Sequence, residues 1–345
     1  MSPKKIHEAT RLSAYIKSKS DLYNVHKSID IGSGQGYLSH LLVTRGDMKV
    51  VAIEAKEHNC HESEKRGKII SEKLGHEGEF ETIPMIVTKD NIAVFTREPT
   101  FLVGLHTCGD LSPICLKLFL ADENIKGVIN VGCCYHHLTE YVAPEAKDQV
   151  DEYLIRVRES FQGRSIDETL TENKDSGFPL SEYIKKKHPW FFLGRLPRTL
   201  SISEPQPSHV IDPSLTFRKF QYRAAFQALL QEYFPHYALT FAIGNRIKRF
   251  DCFGNYAEDA MKKMNLKSTF TKDELEGFYQ ERFKGLEKMS AIFWVMRSSL
   301  SGCIENLIIL DRALFLAEQG AITEIMTIFD KHQSPRNIVI SAFKP

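Results

Sequence analysis

Two apolar stretches of the chain are each followed at once by side chains that can hold or exchange protons. The first, Phe101–Leu105, leads to imidazole, thiol and carboxyl groups, and the second, Gly127–Gly132, leads to two thiols and two imidazoles. The catalytic candidates are His106, Cys108, Asp110, Cys133, Cys134 and His136, with His137 beside them. If both stretches are neighbouring parallel strands, their carboxyl ends share one edge of a sheet. We therefore expect all of these side chains at one crevice.

Three interpretations of this cluster stay open. In the first, His136 or His137 accepts a proton from an acceptor group, because its intrinsic pKa suits that task near neutral pH. In the second, thiolates and imidazoles bind zinc. The spacing differs from a two-residue cysteine knuckle and adjacent cysteines rarely ligate one ion, so we predict no metal. In the third, Cys108 and Cys133 are small buried hydrophobes and the histidines are ordinary loop residues.

Glycines at alternate positions, Gly32, Gly34 and Gly36, end another apolar run, and a helical pattern follows them. Glycine permits positive φ and lets a ligand approach the main chain, while a helix start presents unpaired N–H groups. The pattern predicts a cradle for a nucleotide-like ligand. Glu54 ends a second apolar run, where an acid can accept hydrogen bonds from ribose hydroxyls. The predicted cofactor-binding residues are Asp30, Gly32, Ser33, Gly34, Gly36, Glu54 and, near a bound adenine, Asp90.

Strands and helices alternate through the first 140 residues, which is the pattern of a parallel α/β sheet. The strands are predicted at Ile29–Ile31, Met48–Glu54, Glu81–Val87, Phe101–Leu105 and Gly127–Gly132, the third at a sheet edge because it contains a proline. The helices are predicted at Ile6–Ser20, Tyr37–Val43, Glu57–Leu74 and Ser112–Phe119.

The end of the chain returns to sheet-forming patterns. A helix over Ile304–Glu318 precedes two strands, Ile322–Phe329 and Ile338–Phe343, joined by a short loop. We interpret them as a reversed strand inserted at the sheet edge, which favours a class I methyltransferase over a dehydrogenase. The predicted fold is α/β, a Rossmann-like class I methyltransferase sheet with a large, mostly helical insertion after the fifth strand. Residues 1–138 and 301–345 would form the sheet, and residues 139–300 a substrate platform.

Basic residues are concentrated between Ser181 and Phe250, which holds eleven Lys or Arg against four Asp or Glu. Such cations can follow a phosphate backbone while an aromatic ring stacks on a base. They can equally form a solvated surface over an aromatic packing contact. The candidate substrate-binding residues are Lys185, Lys186, Lys187, Trp190, Arg195 and Arg198.

The bulk composition is that of an ordinary globular protein. Of the 345 residues 42% are hydrophobic and 26% charged, and the net charge of +1 argues against a uniformly basic nucleic-acid coat. No apolar run is long enough for a membrane span, and the polar N-terminus speaks against secretion. Seven cysteines, an odd number, fit a reducing compartment, so we expect the cytoplasm or the nucleus.

Several strings together resemble the methyltransferase-like protein 25 family, also described as rRNA adenine dimethylase domain-containing proteins. They are Asp30–Gly36, His106–Leu111, Asn130–His136, Phe178–Ser181 and Ser334–Asn337. The resemblance implies a Rossmann-like fold that binds S-adenosyl-L-methionine, with the three glycines and Glu54 at donor-binding positions. Relatives in this family can carry a longer N-terminal region.

The strand-end strings also resemble those of a eukaryotic tRNA 2′-O-methyltransferase family, which favours RNA, either rRNA or tRNA, as the partner. His106–Asp110 stands where adenine N6 enzymes carry an Asn or Asp and a base-stacking aromatic residue, so we do not expect N6 dimethylation. The leading hypothesis is in-line methyl transfer from S-adenosylmethionine, which requires alignment of donor and acceptor. The alternatives are methylation of a protein and a non-catalytic binding module.

Overall fold

The computed structural model describes residues 2–74, 79–160, 169–202, 213–235 and 247–345. Their contacts divide the chain into two units. The core unit comprises residues 1–150, 167–202 and 303–345, and the helical unit comprises residues 151–166 and 203–302. The stretch expected to form one substrate platform, residues 139–300, thus contributes to both units.

The core unit contains a seven-stranded sheet in the order β3-β2-β1-β4-β5-β9-β8. The strands of the chain are β1 (Lys27–Ile31), β2 (Lys49–Glu54), β3 (Phe80–Pro84), β4 (Thr100–Cys108), β5 (Ile125–Cys133), β6 (Glu140–Tyr141), β7 (Leu170–Thr171), β8 (Ile322–Thr327) and β9 (Ile338–Phe343). Strands β1 to β5 pair in parallel, and β9 runs antiparallel to both β5 and β8. Strands β6 and β7 form a separate pair. The predicted fold class and the reversed strand are confirmed.

The helices follow the order that the sequence predicts in the first 140 residues. They are α1 (Pro3–Tyr23), α2 (Tyr37–Gly46), α3 (Glu57–Leu74), α4 (Lys89–Ile92), α5 (Leu111–Ala121), α6 (Lys147–Ser160), α7 (Glu182–Lys187), α8 (Arg195–Ser201), α9 (Pro213–Tyr233), α10 (Phe253–Lys263), α11 (Lys272–Arg282) and α12 (Glu287–Glu318). The helix predicted at Ile304–Glu318 is the last part of the much longer α12.

Side chains of the central strands alternate between the two faces of the sheet, as the two-residue period of a strand requires. On β4, Phe101 and Val103 belong to the buried cluster that contains Leu12 of α1. Leu102, between them, belongs to the cluster that contains Leu116 of α5. Because helices cover both faces, such strands are apolar at nearly every position, which makes them conspicuous in the sequence.

The helical unit has its own core, rich in aromatic side chains, in which Phe253 and Tyr279 stack with ring centroids 5.1 Å apart. The sequence from Ser201 to Pro213 predicts a loop, and most of that stretch, residues 203–212, lies outside the described residues. None of the helices in the described ranges combines the length and the apolar character that a membrane span needs.

Candidate functional site

The turn between β1 and α2 holds three glycines with positive φ: Gly32 at 71°, Gly34 at 57° and Gly36 at 72°. A Cβ atom on Gly34 would meet no atom within 4 Å, so this residue faces open space. A Cβ atom on Gly36 would lie 2.0 Å from the Ser63 Oγ, so packing requires that glycine. The turn is therefore a main-chain surface that is open at Gly34 and closed at Gly36.

Glu54, at the end of β2, is held beside this turn by two backbone donors. The Gly34 N–H donates to Oε2 at 2.9 Å, and the Lys56 N–H donates to Oε1 at 2.9 Å. The carboxylate is buried, yet each oxygen keeps a second lone pair. Glu54 can therefore accept hydrogen bonds from ribose hydroxyls while it still holds the turn.

Asp30 lies at the end of β1 and is 1% exposed. Burial raises its pKa to about 6, and the charge of Glu54 acts in the same direction; the Ser39 hydroxyl, which donates to Oδ2 at 2.6 Å, opposes both. Asp30 is thus a carboxyl group that loses its proton at about pH 6, just below neutral pH. Asp90, the other acid predicted to bind the cofactor, lies on α4, and its side chain is outside those that the structure describes.

A cavity of about 320 Å³ is lined by the glycine turn, α1, the start of α2 and the end of β4. Its volume is near the lower end of the range of about 300–1,000 Å³ for small-molecule sites. The lining residues used below are Glu8, Asp30, Ser33, Gly34 and His106. The Ser33 Oγ is buried and has no hydrogen-bond partner among the described residues. An unsatisfied hydroxyl beside an open peptide surface fits a polar ligand.

His106 is fixed by an acid of α1. Its Nε2 lies 3.0 Å from Oε1 of Glu8, which is 1% exposed and also accepts a hydrogen bond from the Ser334 hydroxyl at 2.5 Å. Burial raises the pKa of Glu8, but the hydrogen bonds from His106 and Ser334 outweigh burial, and the pKa is lowered. Glu8 is therefore ionised at neutral pH. An ionised carboxylate only accepts, so Nε2 carries the proton of this hydrogen bond, and Nδ1 is the nitrogen that has the lone pair in the neutral tautomer.

Sequence reasoning missed Glu8. In α1 it lies at four-residue spacing with Leu12, Ile16 and Ser20, and all four are buried. A carboxyl group in line with the apolar face of a helix indicates a buried partner, since acids are almost never fully buried unpaired. This pattern could have identified Glu8 as a buried acid, but it could not have identified His106 as its partner.

Three thiols meet where β4 and β5 end. The Cys108 Sγ lies 3.1 Å from the Cys133 Sγ, which lies 3.6 Å from the Cys134 Sγ. The hydrogen bond from Cys133 lowers the pKa of Cys108 to about 6 against the effect of burial, and the same bond together with burial raises the pKa of Cys133. Burial also raises the pKa of Cys134. Cys108 is therefore the thiol that ionises first.

The other predicted catalytic residues have different surroundings. The ring centroids of His136 and His137 are 3.9 Å apart, and burial lowers the pKa of His136, with His137 acting in the same direction. His136 Nδ1 is buried without a hydrogen-bond partner among the described residues. Asp110 Oδ1 accepts a hydrogen bond from the Thr139 N–H at 2.9 Å, which ties the turn after β4 to the segment after β5. Asp110 thereby positions these turns.

The residues predicted to bind substrate differ in exposure. Lys186 and Trp190 have exposed fractions of 74% and 57%, and Lys187 and Arg195 are also exposed. The Lys185 ammonium instead donates to a backbone carbonyl at 3.4 Å, and burial lowers its pKa. The exposed cations of this set are therefore Lys187, Arg195 and Lys186, of which Lys186 also lies 3.3 Å from a Glu182 carboxylate oxygen.

Arg198 is completely buried. Its Nε donates to Oε2 of Glu140 at 3.1 Å, and both side chains are 0% exposed. A guanidinium without accessible surface cannot contact a phosphate backbone, so the prediction that Arg198 binds substrate is wrong. Helix α8, which carries Arg198, packs against the turn Tyr135–His137. The buried pair thus fixes α8 beside a predicted catalytic turn.

Comparison with known proteins gives a match over the first part of the chain. Residues 4–141 match a family model described as a methyltransferase domain. This segment includes the glycine turn, Glu54, His106 and the thiols, so the cavity and the cluster lie within it. This part of the chain is therefore similar to methyltransferase domains, and it contributes strands β1 to β5 of the mostly parallel sheet.

The chain is homologous to proteins described as probable methyltransferase-like protein 25, as the sequence predicts. It is 29% identical to the mouse protein over 249 residues, which cover 72% of this chain and 38% of that protein. It is 26% identical to the human protein over 288 residues, which cover 82% of this chain and 44% of that protein. The chain thus spans less than half the length of these relatives.

Among solved structures, TrmK of M. capricolum in complex with S-adenosyl-homocysteine is 18% identical. The match covers 30% of this chain and 44% of that chain with a TM-score of 0.24. This likeness is too slight to bear on function.

Proposed function

We propose that the chain is an S-adenosylmethionine-dependent methyltransferase. The observation that carries the proposal is the cavity at the glycine turn, which is lined by the open surface at Gly34 and by Ser33, whose hydroxyl has no partner among the described residues. The Glu54 carboxylate lies next to this lining, because it accepts the hydrogen bond of the Gly34 N–H. These groups match the needs of a nucleoside ligand with ribose hydroxyls. When bound, S-adenosylmethionine would supply an electrophilic methyl group on a sulfonium centre.

The cavity wall carries two acids as well as Lys4 and Lys5, and the two acids suit such a cation. Glu8 and Asp30 both line the cavity; Glu8 is ionised at neutral pH, and Asp30 is largely ionised above pH 6. A nearby positive charge favours the ionised form of a carboxyl group, so binding of a sulfonium and ionisation of these acids assist each other. The neutral thioether product would gain less from the same carboxylates.

His106 is the proton acceptor in this proposal. It lines the cavity, and its hydrogen bond to Glu8 leaves Nδ1 with the lone pair. A hydroxyl or weakly basic nitrogen acceptor must lose a proton as the methyl group is transferred, and a neutral imidazole can take it. Glu8 is a positioning residue, because it fixes the orientation and the tautomer of the ring without receiving the proton.

We propose RNA, either rRNA or tRNA, as the acceptor. Lys186, Lys187 and Arg195 are exposed, and the Trp190 indole between them is available for stacking on a base. Helix α8, which begins at Arg195, packs against the turn of His136. Six cysteines (Cys60, Cys108, Cys115, Cys133, Cys134 and Cys252) are free thiols, which supports the cytoplasm or the nucleus as the location.

Two measurements test these proposals. Calorimetry of the purified chain with S-adenosylmethionine should give one binding site, and a flat titration would overturn the cofactor assignment in favour of a non-catalytic module. Incubation of the chain with the labelled donor and cell extract, with and without prior ribonuclease treatment, tests the acceptor. We expect label in RNA that ribonuclease abolishes, whereas label that stays in protein after the digestion would identify a protein methyltransferase.

A further inference from the structure

We propose that Cys108, Cys133 and Cys134 together bind one zinc ion at the carboxyl ends of β4 and β5. Their sulfur atoms all lie within 4.8 Å of one another, and all three thiols are free. This site is separate from the proposed methyl donor site, and its existence does not depend on the reaction or on the acceptor. It reverses the expectation from the sequence that the cluster binds no metal.

The spacing of the sulfur atoms fits a single tetrahedral ion. Three thiolates at about 2.3 Å from one zinc ion are about 3.8 Å apart. The observed separations are 3.1 Å from Cys108 to Cys133 and 3.6 Å from Cys133 to Cys134. Small rotations of the side chains therefore suffice to bring all three sulfurs to one ion, and the thiol protons leave to solvent as it binds.

Adjacent cysteines can share an ion here because the backbone at Cys134 is left-handed. In a regular strand, consecutive side chains point to opposite faces, so Cys133 and Cys134 would point apart. Cys134 has φ of 40° and ψ of 46°, a conformation that is uncommon for residues other than glycine. This conformation interrupts the alternation of side chains, so the sulfur atoms of Cys133 and Cys134 lie 3.6 Å apart. This geometry removes the argument against shared ligation.

A second distortion brings Cys108 to the same place. The register of β4 on β5 shifts between Leu105 and Thr107, so one extra residue, His106, is inserted and takes a φ of 65°. An insertion of one residue moves every following side chain to the other face of the strand. As a result Cys108 pairs with Cys133 and lies on the same face. Two residues with strained backbone conformations, His106 and Cys134, thus bring the three thiols together. Strained residues of this kind cluster at functional sites.

The charge around the cluster supports a thiolate centre. Arg312 is 1% exposed, and its Nε and Nη2 have no hydrogen-bond partner among the described residues. Its Nη1 donates to the Ser112 hydroxyl at 3.0 Å and lies 2.4 Å from the place of a Cβ on Gly132, the residue before Cys133. Three thiolates and one zinc ion carry a net charge of −1. A buried guanidinium beside them balances that charge.

Among the described residues this cluster offers three ligands, which leave the fourth position of the ion open. Structural zinc sites are closed by four protein ligands, whereas a site with three accepts water or a substrate group and lowers its pKa. His106, two residues before Cys108, lines the cavity, whereas none of the three cysteines does. The open position of the ion would therefore accept water or a substrate group without being part of the cavity wall.

The test is metal content and affinity of the full chain, purified under reducing conditions without chelators. We expect about one equivalent of zinc, and replacement by cobalt should give sulfur-to-cobalt charge-transfer bands. The variants Cys108→Ser and Cys134→Ser should each weaken zinc binding at least tenfold in competition with a chromophoric chelator. Cys303→Ser is the matched control, since Cys303 is an exposed cysteine outside the cluster. Circular dichroism checks that each variant is folded.

Several results would overturn the site. They are a reduced wild-type chain that binds neither zinc nor cobalt, a Cys303→Ser variant that loses as much zinc as Cys108→Ser, and bound iron in place of zinc. X-ray absorption provides a direct check, because three sulfur neighbours at about 2.3 Å are expected. Calorimetry of Cys108→Ser with S-adenosylmethionine separates the two proposals: intact donor binding with lost zinc supports both, and absent donor binding in a zinc-loaded wild type overturns only the methyltransferase.

Discussion

We expect Asp30→Asn to stabilise the core unit above pH 6 and to leave its stability nearly unchanged below pH 4. Asp30 is almost completely buried, and burial together with the charge of Glu54 raises its pKa from 3.8 to about 6. Between these two values the folded chain keeps a proton that the unfolded chain has released. Asn carries no such proton and can still accept the hydrogen bond from the Ser39 hydroxyl, so the variant lacks this part of the pH dependence.

The magnitude follows from linkage. When the folded state binds more protons than the unfolded state, the free energy of unfolding falls as the pH rises. The shift of about two pH units at about 1.4 kcal/mol per unit gives a loss of about 3 kcal/mol in the wild type between pH 4 and pH 6. Above pH 6 this contribution is constant. The advantage of Asp30→Asn should therefore grow from about zero to about 3 kcal/mol across this window and then level off.

The assay is amide hydrogen exchange of peptides from β1 and β4 at increasing urea, which reports unfolding of the core unit alone. Measurements at several pH values from 4 to 8 give the free energy of unfolding for each variant. Ser39→Ala is the matched control: the Ser39 hydrogen bond lowers the pKa of Asp30, so its removal should extend the wild-type loss of stability above pH 6. Equal slopes for wild type and Asp30→Asn, or a variant less stable at pH 7, would refute the reasoning.

Three further outcomes are expected. Gly34→Ala should lose at least tenfold in affinity for S-adenosylmethionine by calorimetry and about 1 kcal/mol of stability, whereas Gly320→Ala, with φ of 78° and equally open space, should lose only the stability. Glu8→Gln should lower kcat roughly tenfold or more with little change in the KM for the acceptor, because it releases the orientation and tautomer of its imidazole partner; an unchanged kcat would remove the positioning role. Arg198→Met should destabilise the core unit by about 3–5 kcal/mol in urea unfolding, because it leaves Glu140 charged and buried; a loss below 1 kcal/mol would contradict this.

The sequence predicted the features that depend on local patterns. Strands β1, β4 and β5 are apolar at almost every position because both faces of the sheet are covered, so they stand out without an alignment. The glycine turn is equally local, since positive φ at alternate positions favours glycine over other residues. Parallel pairing then places the ends of β4 and β5 side by side, and the thiols are indeed neighbours.

The features that the sequence did not predict depend on contacts between distant segments. Arg198 belongs to a basic, aromatic-rich stretch that resembles a surface, yet it is buried because Glu140, 58 residues earlier, lies beside it. Glu8 and His106 likewise come from different elements, and neither reveals its partner. Charge in a sequence does not indicate whether a residue faces solvent or an ion pair, because a buried pair and an exposed patch can have the same composition.

The left-handed backbone at Cys134 can be tested for whether its strain serves the metal site or only the turn. Cys134→Gly relieves that strain, because glycine adopts positive φ freely, so with a chelator present the variant should be more stable than wild type by about 1 kcal/mol. If the strain exists to bring the sulfurs together, the same variant loses zinc affinity, and with zinc present wild type becomes the more stable of the two by mass action. Urea unfolding of both proteins, with chelator and with zinc, measures this reversal. A Cys134→Gly variant that is more stable under both conditions would show that the conformation serves the turn and not the metal.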